Sequence, residues 1–454
     1  MADPDGDPSA EDSGTLSVRA GVARPYMVTL LGSSGALLFN LYTGIVSARL
    51  LAPEGRGVVG AIVGWVMVTT FLSGFGFQQG LSWIESRDHR RAPAILTTTV
   101  ISTFALSIMG ITIAEILLPI GFGAQTDEAL RYARIAMVWV LPYMAYNSFG
   151  NVFGARQQFG AVNVLRIAQP ILYAVALTLL WIVGQVGVAE VLAVQALSFL
   201  IPALVAFAIL RRASGMGRPD RSLTREGASF GFRAYGSTLG QLANTRLDLV
   251  VLPAVVVAAD IGLYVVAVSA ATLVVGLFGS LQVVVFPAAA RAGGAAAVQL
   301  AQRAIRIVML ASIAVASVLG LGASWFVQVL YGAEFIGAVR PLRIMLPGVC
   351  CWATAAIVAA SLKAIGRPMG ATIAQLVGVV VTLVGLAVLL PRYGIAGAAL
   401  TSTLSYATAF GLGMYLFINA TGTTITGTFG LAAIRSDVAW FQERLGRRSA
   451  RRAR

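Results

Sequence analysis

Apolar runs of about 20 residues, the length a helix needs to cross roughly 30 Å of hydrocarbon, recur from Tyr26 to Ile418. A chain patterned in this way must place most of its length inside a bilayer. Only 11% of its residues are charged, against 57% hydrophobic. The runs predict twelve spans, at 26–49, 58–82, 93–120, 133–155, 164–184, 189–210, 235–257, 262–289, 304–330, 341–362, 369–391 and 395–418. The expected fold class is therefore all-α, a polytopic membrane protein of twelve transmembrane helices. Short loops make sequential helices antiparallel neighbours.

The formal net charge of +14 comes from 33 Lys+Arg against 19 Asp+Glu. A basic balance can signal nucleic acid, but here the bases lie in short loops between apolar runs, where they set topology. With the N-terminus inside, 25 of the 33 fall on cytoplasmic segments and 7 on outer loops, leaving Arg246 within a span. Both termini are thus expected in the cytoplasm. Residues 1–22, polar and acidic, read as a disordered cytoplasmic tail with no signal peptide. Residues 23–210 form a first six-helix bundle, 211–234 a basic linker with six arginines, and 235–420 a second bundle. The segment Gly293 to Arg306 reads as an interfacial helix. Residues 421–454 read as a basic amphipathic tail that anionic membrane lipids would attract, and nucleic acid is not expected as a partner.

The two bundles echo one another. Gly32-Ser33 with Asn40 aligns with Gly236-Ser237 and Asn244, Gly160-Ala161 with Gly370-Ala371, and Gly187 with Gly394. The interval is nearly constant, roughly 200 residues, which argues for an internal duplication. Six helices per copy make the copies parallel, related by an axis along the membrane normal, with a substrate site between them.

Scarcity excludes much chemistry. His89 is the only histidine and Lys363 the only lysine, so neither a two-His metal site nor a Gly-Lys-Ser/Thr phosphate loop can be built. Cys350 and Cys351 are adjacent in an apolar run, unsuited to a structural disulfide. Paired catalytic carboxylates are not visible either, so neither an enzyme nor a cofactor is expected.

The polar residues inside spans are the candidate site. Ser237, Gln241, Asn244 and Asp248 form one helical stripe in the seventh span, and Arg246 lies on a different face of it. A charge at that depth costs about 2.5–3.5 kcal/mol on insertion scales, so it faces a wet cavity or pairs with a polar group on a neighbouring helix. Both readings stay open for Arg246 and Asp248. Asn40 recurs with Ser33, Ala36, Thr43 and Ser47 in the first span, as cavity lining or as small-residue packing. Arg49 and Arg56 flank the turn after it. Gln78, Gln79, Glu115, Asn147, Asn151, Arg166, Gln169, Gln195 and Gln282 are further polar intrusions.

Several stretches carry a family resemblance. Arg49 to Gly57 (RLLAPEGRG) resembles the corresponding turn of Wzx-type polysaccharide flippases of the multidrug/oligosaccharidyl-lipid/polysaccharide exporter superfamily. Arg246-Leu-Asp-Leu with Gly262-Leu-Tyr-Val-Val-Ala, Leu346-Pro-Gly, Lys363 to Pro368, and Pro391 to Ala399 with Ser405-Tyr406 are similar to later parts of that family. The resemblance covers about residues 26–420. It implies a V-shaped pair of bundles in a bacterial cytoplasmic membrane that carries a polyprenyl-diphosphate-linked oligosaccharide outward by alternating access, with polysaccharide-assembly proteins as partners. A cavity arginine could grip the diphosphate bidentately while amides and hydroxyls satisfy the sugar. By helix position, Arg49, Arg56, Arg166 and Arg246 are the candidate anion contacts, and Asn40, Gln241, Asn244 and Asp248 the candidate polar lining. The competing reading is a cation-coupled multidrug or metabolite antiporter of the same superfamily, which needs an intramembrane carboxylate that Asp248 would have to supply.

Overall fold

The computed structural model describes residues 8–430 except 185, 280, 282–284, 286–288, 290 and 292, together with 433 and 435; side chains are described from Gly35 onward apart from 234, 236–239, 241 and 279. The described residues form helices and short connections, with no strand among them. In chain order the longer helices are α1 (Pro8–Gly74), α2 (Phe77–Arg87), α3 (Ala92–Gly121), α4 (Asp127–Ala136), α5 (Val140–Ala155), α6 (Phe159–Val183) and α7 (Val188–Ser214). They continue with α8 (Arg221–Val251), α9 (Ala258–Gly279), α10 (Gly294–Leu321), α11 (Ala323–Leu330), α12 (Val339–Ala364) and α13 (Pro368–Thr421).

Eight helices are long and apolar enough to cross a membrane, among the described residues, against the twelve spans expected. The difference has a physical cause at each place. Two of the eight, Gly35–Gly74 and Pro368–Thr421, are bent pairs. The first turns at Ala52 (φ 53, ψ 178), inside the predicted turn, and the extended ψ is what the following Pro53 demands. The second turns at Gly394 (φ 55, ψ −139), where only glycine adopts the backbone without strain. The expected fourth span is divided between α4 and α5 by a 3₁₀ turn, Met137–Trp139. The expected seventh span lies in α8, whose polar residues break the apolar run.

The duplication shows in the boundaries. One helix ends at Ala155 and the next begins at Phe159; at the same interval in the second half, α12 ends at Ala364 and α13 begins at Pro368. Three local expectations change. α1 is helical from Pro8, within the leader expected to be disordered, with proline at the first position, where its missing N–H is not needed. Most of the expected linker 211–234 is helix, because Asp220 caps Ser222 N–H and starts α8 there. The segment Gly293 to Arg306 runs into α10 as one continuous helix, with no separate interfacial element. The amphipathic tail and Gln282 lie outside the described residues.

The two halves meet along seams where glycines let backbones touch. A Cβ on Gly57 would sit 1.7 Å from the Ala258 carbonyl oxygen, and one on Gly262 would sit 1.9 Å from that of Pro53, so α1 and α9 pack backbone to backbone. Near this end Gln125 Nε2 donates to the Pro253 and Val256 carbonyls, at 3.0 and 2.7 Å. At the opposite end α2 packs on the start of α8 through Gly76 against Gly231 and Gly80 against Gly227. Trp83 stacks on Phe230 there, with ring centroids 4.4 Å apart. Arg91 reaches Asp220 and Ser222, both at 2.8 Å, and Glu226 at 3.6 Å. Hydrogen bonds from Ser222 and Arg91 hold the Asp220 carboxyl down at about 2. Its share of the latch is therefore complete above the ordinary carboxylate range near pH 4 and is lost only as pH falls through about 2. α8 thus starts on the first half and ends packed on α13 of the second, bridging the two.

Gly57→Ala and Gly262→Ala should each lower thermal stability, at a cost of about 1–3 kcal/mol for overpacking a closed contact. A thermal-shift measurement on the purified chain checks this, and unchanged melting for both variants would show that the seam is looser than described.

Candidate functional site

α8 brings its polar residues to two different surroundings. Asn244 and Asp248 are buried in the second half and hydrogen-bonded within it. Asn244 Nδ2 donates to the Gln375 carbonyl (3.1 Å) and to Gln375 Oε1 (3.0 Å), while its Oδ1 accepts from Thr382 and Ser405, both at 3.2 Å. Asp248 accepts from Tyr264 Oη at 2.5 Å and from the Leu249 N–H at 2.8 Å, and Tyr264 lies 3.4 Å from Ser402. Each network meets the demand that buried polar groups be hydrogen-bonded, and it holds the polar stripe inside the second half.

Arg246, on another face of the same helix, is half-buried between the halves. It lies within electrostatic range of Tyr143 on α5, in the first half, and of Asp248 and Tyr406 in the second. Tyr143 and Tyr146 both set their edges against the ring of Phe199, at 4.9 and 5.2 Å. Tyr146 in turn lies within range of exposed Arg166 on α6. The structure therefore brings Arg166 and Arg246 to neighbouring tyrosines of one helix. Continuing along α5, Asn147 and Asn151 follow Tyr143 at successive turns. Asn147 donates its side-chain Nδ2–H to the Tyr143 carbonyl at 2.7 Å. These two amides share a polar pocket with Gln78 and Gln79 of α2 and with Tyr235 of α8, which donates to the Phe71 carbonyl. Gln78 Nε2 is buried there with no hydrogen-bond partner.

The other expected site residues are not gathered with these. Arg49 is exposed and caps the end of α11 in the second half, donating to the Val329 and Leu330 carbonyls, the latter at 2.7 Å. A cation at a helix C-terminus answers the unpaired carbonyls and the dipole, so its role here is to tie the halves. Arg56 stands within range of Tyr173 and Tyr331, and its Nε and the Tyr331 hydroxyl are both buried without a partner. Asn40 is exposed on α1. The Gln241 side chain lies outside the described residues. Glu115 pairs with Arg134 at 3.8 Å on the surface, an arrangement of little energetic weight. A pair with no signal in spacing, Glu85 with Arg156 at 2.6 Å, is fully buried on its acidic side.

Sequence reasoning names Gln78, Gln79, Asn147 and Asn151 only as polar intrusions without a role, and it leaves out Tyr143 and Tyr235. A signal existed, because Tyr143, Asn147 and Asn151 repeat at helical spacing in an apolar run, but only contact with α2 and α8 identifies which way they face. Among the described residues no cluster of three or more His, Cys, Asp or Glu could hold a metal. The arrangement is that of a binding surface: one or two cations, hydroxyls and neutral amides along a seam between two bundles.

Residues 22–292 match the model of a family described as polysaccharide biosynthesis protein. Among solved structures, the lipid II flippase MurJ in an inward closed conformation is similar at TM-score 0.71, with 14% identity over 89% of this chain and 90% of that one. An inward-facing multidrug resistance transporter of the MATE family and MOP superfamily is similar at TM-score 0.68, with 16% identity over 86% of this chain and 96% of that one. A MOP superfamily transporter from Pyrococcus furiosus Vc1, described by the reversed polarity of its binding pocket, is similar at TM-score 0.55, with 15% identity over 88% of this chain and 96% of that one. No curated protein matches. At these identities the likeness to solved structures establishes the fold.

Tyr264→Phe should destabilise the protein by about 1–3 kcal/mol, because buried Asp248 loses one of its two described donors. Melting in detergent is the check, and a gain or no change in stability would show that Asp248 is satisfied by other groups.

Proposed function

The chain belongs to the polysaccharide biosynthesis protein family, and from that membership we propose that it moves a polyprenyl-diphosphate-linked oligosaccharide from the inner to the outer leaflet of the cytoplasmic membrane by alternating access. The observation that carries this reading is the position of Arg246 within electrostatic range of Tyr143 in the other half, on the helix that also carries Asn147 and Asn151. A guanidinium can take a diphosphate in a bidentate grip, and neutral amides suit a glycan's hydroxyls. The lipid chain has no need to leave the bilayer. Motion follows from the contacts already described. Both ends close through glycine backbone contact, to which the Asp220 end adds the Arg91 bonds and the Ala52 end the Gln125 bonds, side-chain bonds that can exchange with water. Alternating access then means opening one end while the other stays shut, with α8 as the element common to both.

In this reading the protein is a transporter, not an enzyme, and its partners are the lipid-linked glycan, anionic membrane lipids and polysaccharide-assembly proteins. Both termini are cytoplasmic, as the arginine distribution requires. In a chain with Cys350 and Cys351 replaced by alanine, an impermeant thiol reagent added outside should label Glu128→Cys and spare Arg211→Cys. The reverse pattern would overturn the orientation and the direction of transport.

Arg246→Ala should abolish flipping of a fluorescent polyprenyl-diphosphate glycan in proteoliposomes while leaving melting near that of the parent chain. Arg246→Lys should keep part of the activity, since it retains charge without the planar fork. Full flipping by a stable Arg246→Ala protein would remove this residue from the mechanism. The second reading, cation-coupled export of a small molecule, is favoured by one observation, the buried carboxylate Asp248. It predicts efflux that depends on a proton or sodium gradient and fails in Asp248→Asn, whereas glycolipid flipping should tolerate that nearly isosteric change.

A further inference from the structure

Two cavities of opposite character meet where the second membrane helix is broken. α1 ends at Gly74 and α2 begins at Phe77, with Phe75 (φ 44) and Gly76 (φ 71) between them in left-handed backbone. Irregular backbone at membrane depth persists only where it is buried in protein or lines a cavity. Here it lines two. On one side is a small polar pocket of about 40 Å³, space for a water and not for a sugar until it widens, with Gln78, Gln79, Asn147 and Asn151, closed by Tyr235. On the other is an apolar groove of about 680 Å³ between α3 and the start of α8, walled by Phe75, Ile101, Ala105, Leu106, Ala228 and Phe232. Gly74 belongs to both, and the Phe75 and Tyr235 rings, 6.5 Å apart, stand at the boundary.

The groove is open to the bilayer side: Phe75, Ile101 and Phe232 are 46%, 50% and 69% exposed. Ala105 and Ala228 keep it wide, since neither side chain fills the space between the helices. The pocket has an unmet need of its own, because Gln78 Nε2 is buried without a partner and a hydroxyl group would satisfy it. A hydrocarbon wall and an amide-lined pocket sharing one glycine are complementary to a single kind of molecule, an amphiphile with a sugar head and a long lipid chain. α2 also starts at this junction without a side-chain cap, so its N-terminal dipole faces the place where an anionic linkage between head and chain would lie.

We propose that the break at Gly74–Gly76 is the loading site for the lipid-linked substrate, the polyprenyl chain lying in the α3–α8 groove and the first sugar in the pocket of Gln78, Gln79, Asn147 and Asn151. This rests on the flippase reading above and adds to it the route of entry. Loading requires Tyr235 to leave the Phe71 carbonyl, since that hydrogen bond closes the pocket in this structure. The neighbouring latch of Arg91 with Asp220 and Ser222 holds the same stretch of α8, so groove and latch open together.

The test uses the full chain in lipid nanodiscs with three probes: undecaprenyl-diphosphate N-acetylglucosamine, undecaprenyl diphosphate, and phosphatidylglycerol. Filling the groove with Ala105→Trp and Ala228→Trp should weaken both undecaprenyl probes by about tenfold. Gln79→Leu with Asn151→Leu should weaken the sugar-bearing probe by about tenfold and leave the sugarless one unchanged. A photoreactive residue at Ser229 in an otherwise unaltered chain covers the case of a variant that fails to fold. It should capture undecaprenyl diphosphate in competition with unlabelled probe. Capture of phosphatidylglycerol that excess undecaprenyl diphosphate does not displace would make the groove an ordinary lipid contact and overturn the proposal. Unchanged affinity in the tryptophan variant of a chain that flips the glycolipid would overturn the loading site alone. A parent chain that neither binds nor flips either undecaprenyl probe would overturn the flippase reading with it.

Discussion

Hydrocarbon offers no hydrogen bonds, and every polar group in this chain's membrane-spanning helices answers to that constraint. The bilayer core tolerates a buried amide, carboxylate or guanidinium only if protein or trapped water satisfies it. Asn244 and Asp248 meet the demand inside the second half, through Gln375, Thr382, Ser405 and Tyr264. Arg246 and the amides of α5 and α2 lie outside that network, and there Gln78 Nε2 is buried without a hydrogen-bond partner. The division between a sealed polar network and an open polar seam separates groups that hold the fold from groups available to a ligand.

The same constraint explains the glycines. Two bundles packed against one another in lipid have no hydrophobic drive to associate, so close packing has to supply the adhesion. Gly57 and Gly262 allow this at one end, Gly76 and Gly80 at the other, each against backbone of the opposite half. α8 crosses the boundary, its first turns on α2 and α3 and its last on α13. A helix shared in this way links the two ends of the seam. The arginines at the ends serve the same coupling: Arg49 and Arg91 each join elements of different halves.

Sequence reasoning placed Arg49 and Arg56 with Arg246 because all three are basic and close to apolar runs. The structure separates them for a reason that spacing does not carry. Arg49 meets the carbonyls that end α11, an element 280 residues away in the chain. Asn244 and Asp248 were correctly read as one stripe, yet a stripe has no label saying whether it faces water or a neighbouring helix. That depends on α9 and α13, which supply its hydrogen-bond partners. Conversely, Asn147, Asn151, Gln78 and Gln79 looked like scattered intrusions, and only the approach of α2 to α5 gathers them into one pocket.

What the sequence by itself determined was the class of molecule: an all-helical membrane protein, duplicated, with turns at Pro53 and Gly394 and a polar interruption in α8. These follow from local rules, since span length, proline and glycine backbone limits and helical periodicity act over a few residues to a few turns. What only the tertiary structure decided was which polar residue faces which surface. The docking of the first turns of α8 on the opposite half and the packing of the break at Gly74–Gly76 against it depend on contacts between residues more than a hundred positions apart. Hydrophobic patterning in a single helix is the same for a lining residue and a packed one, so the site belonged to the packing.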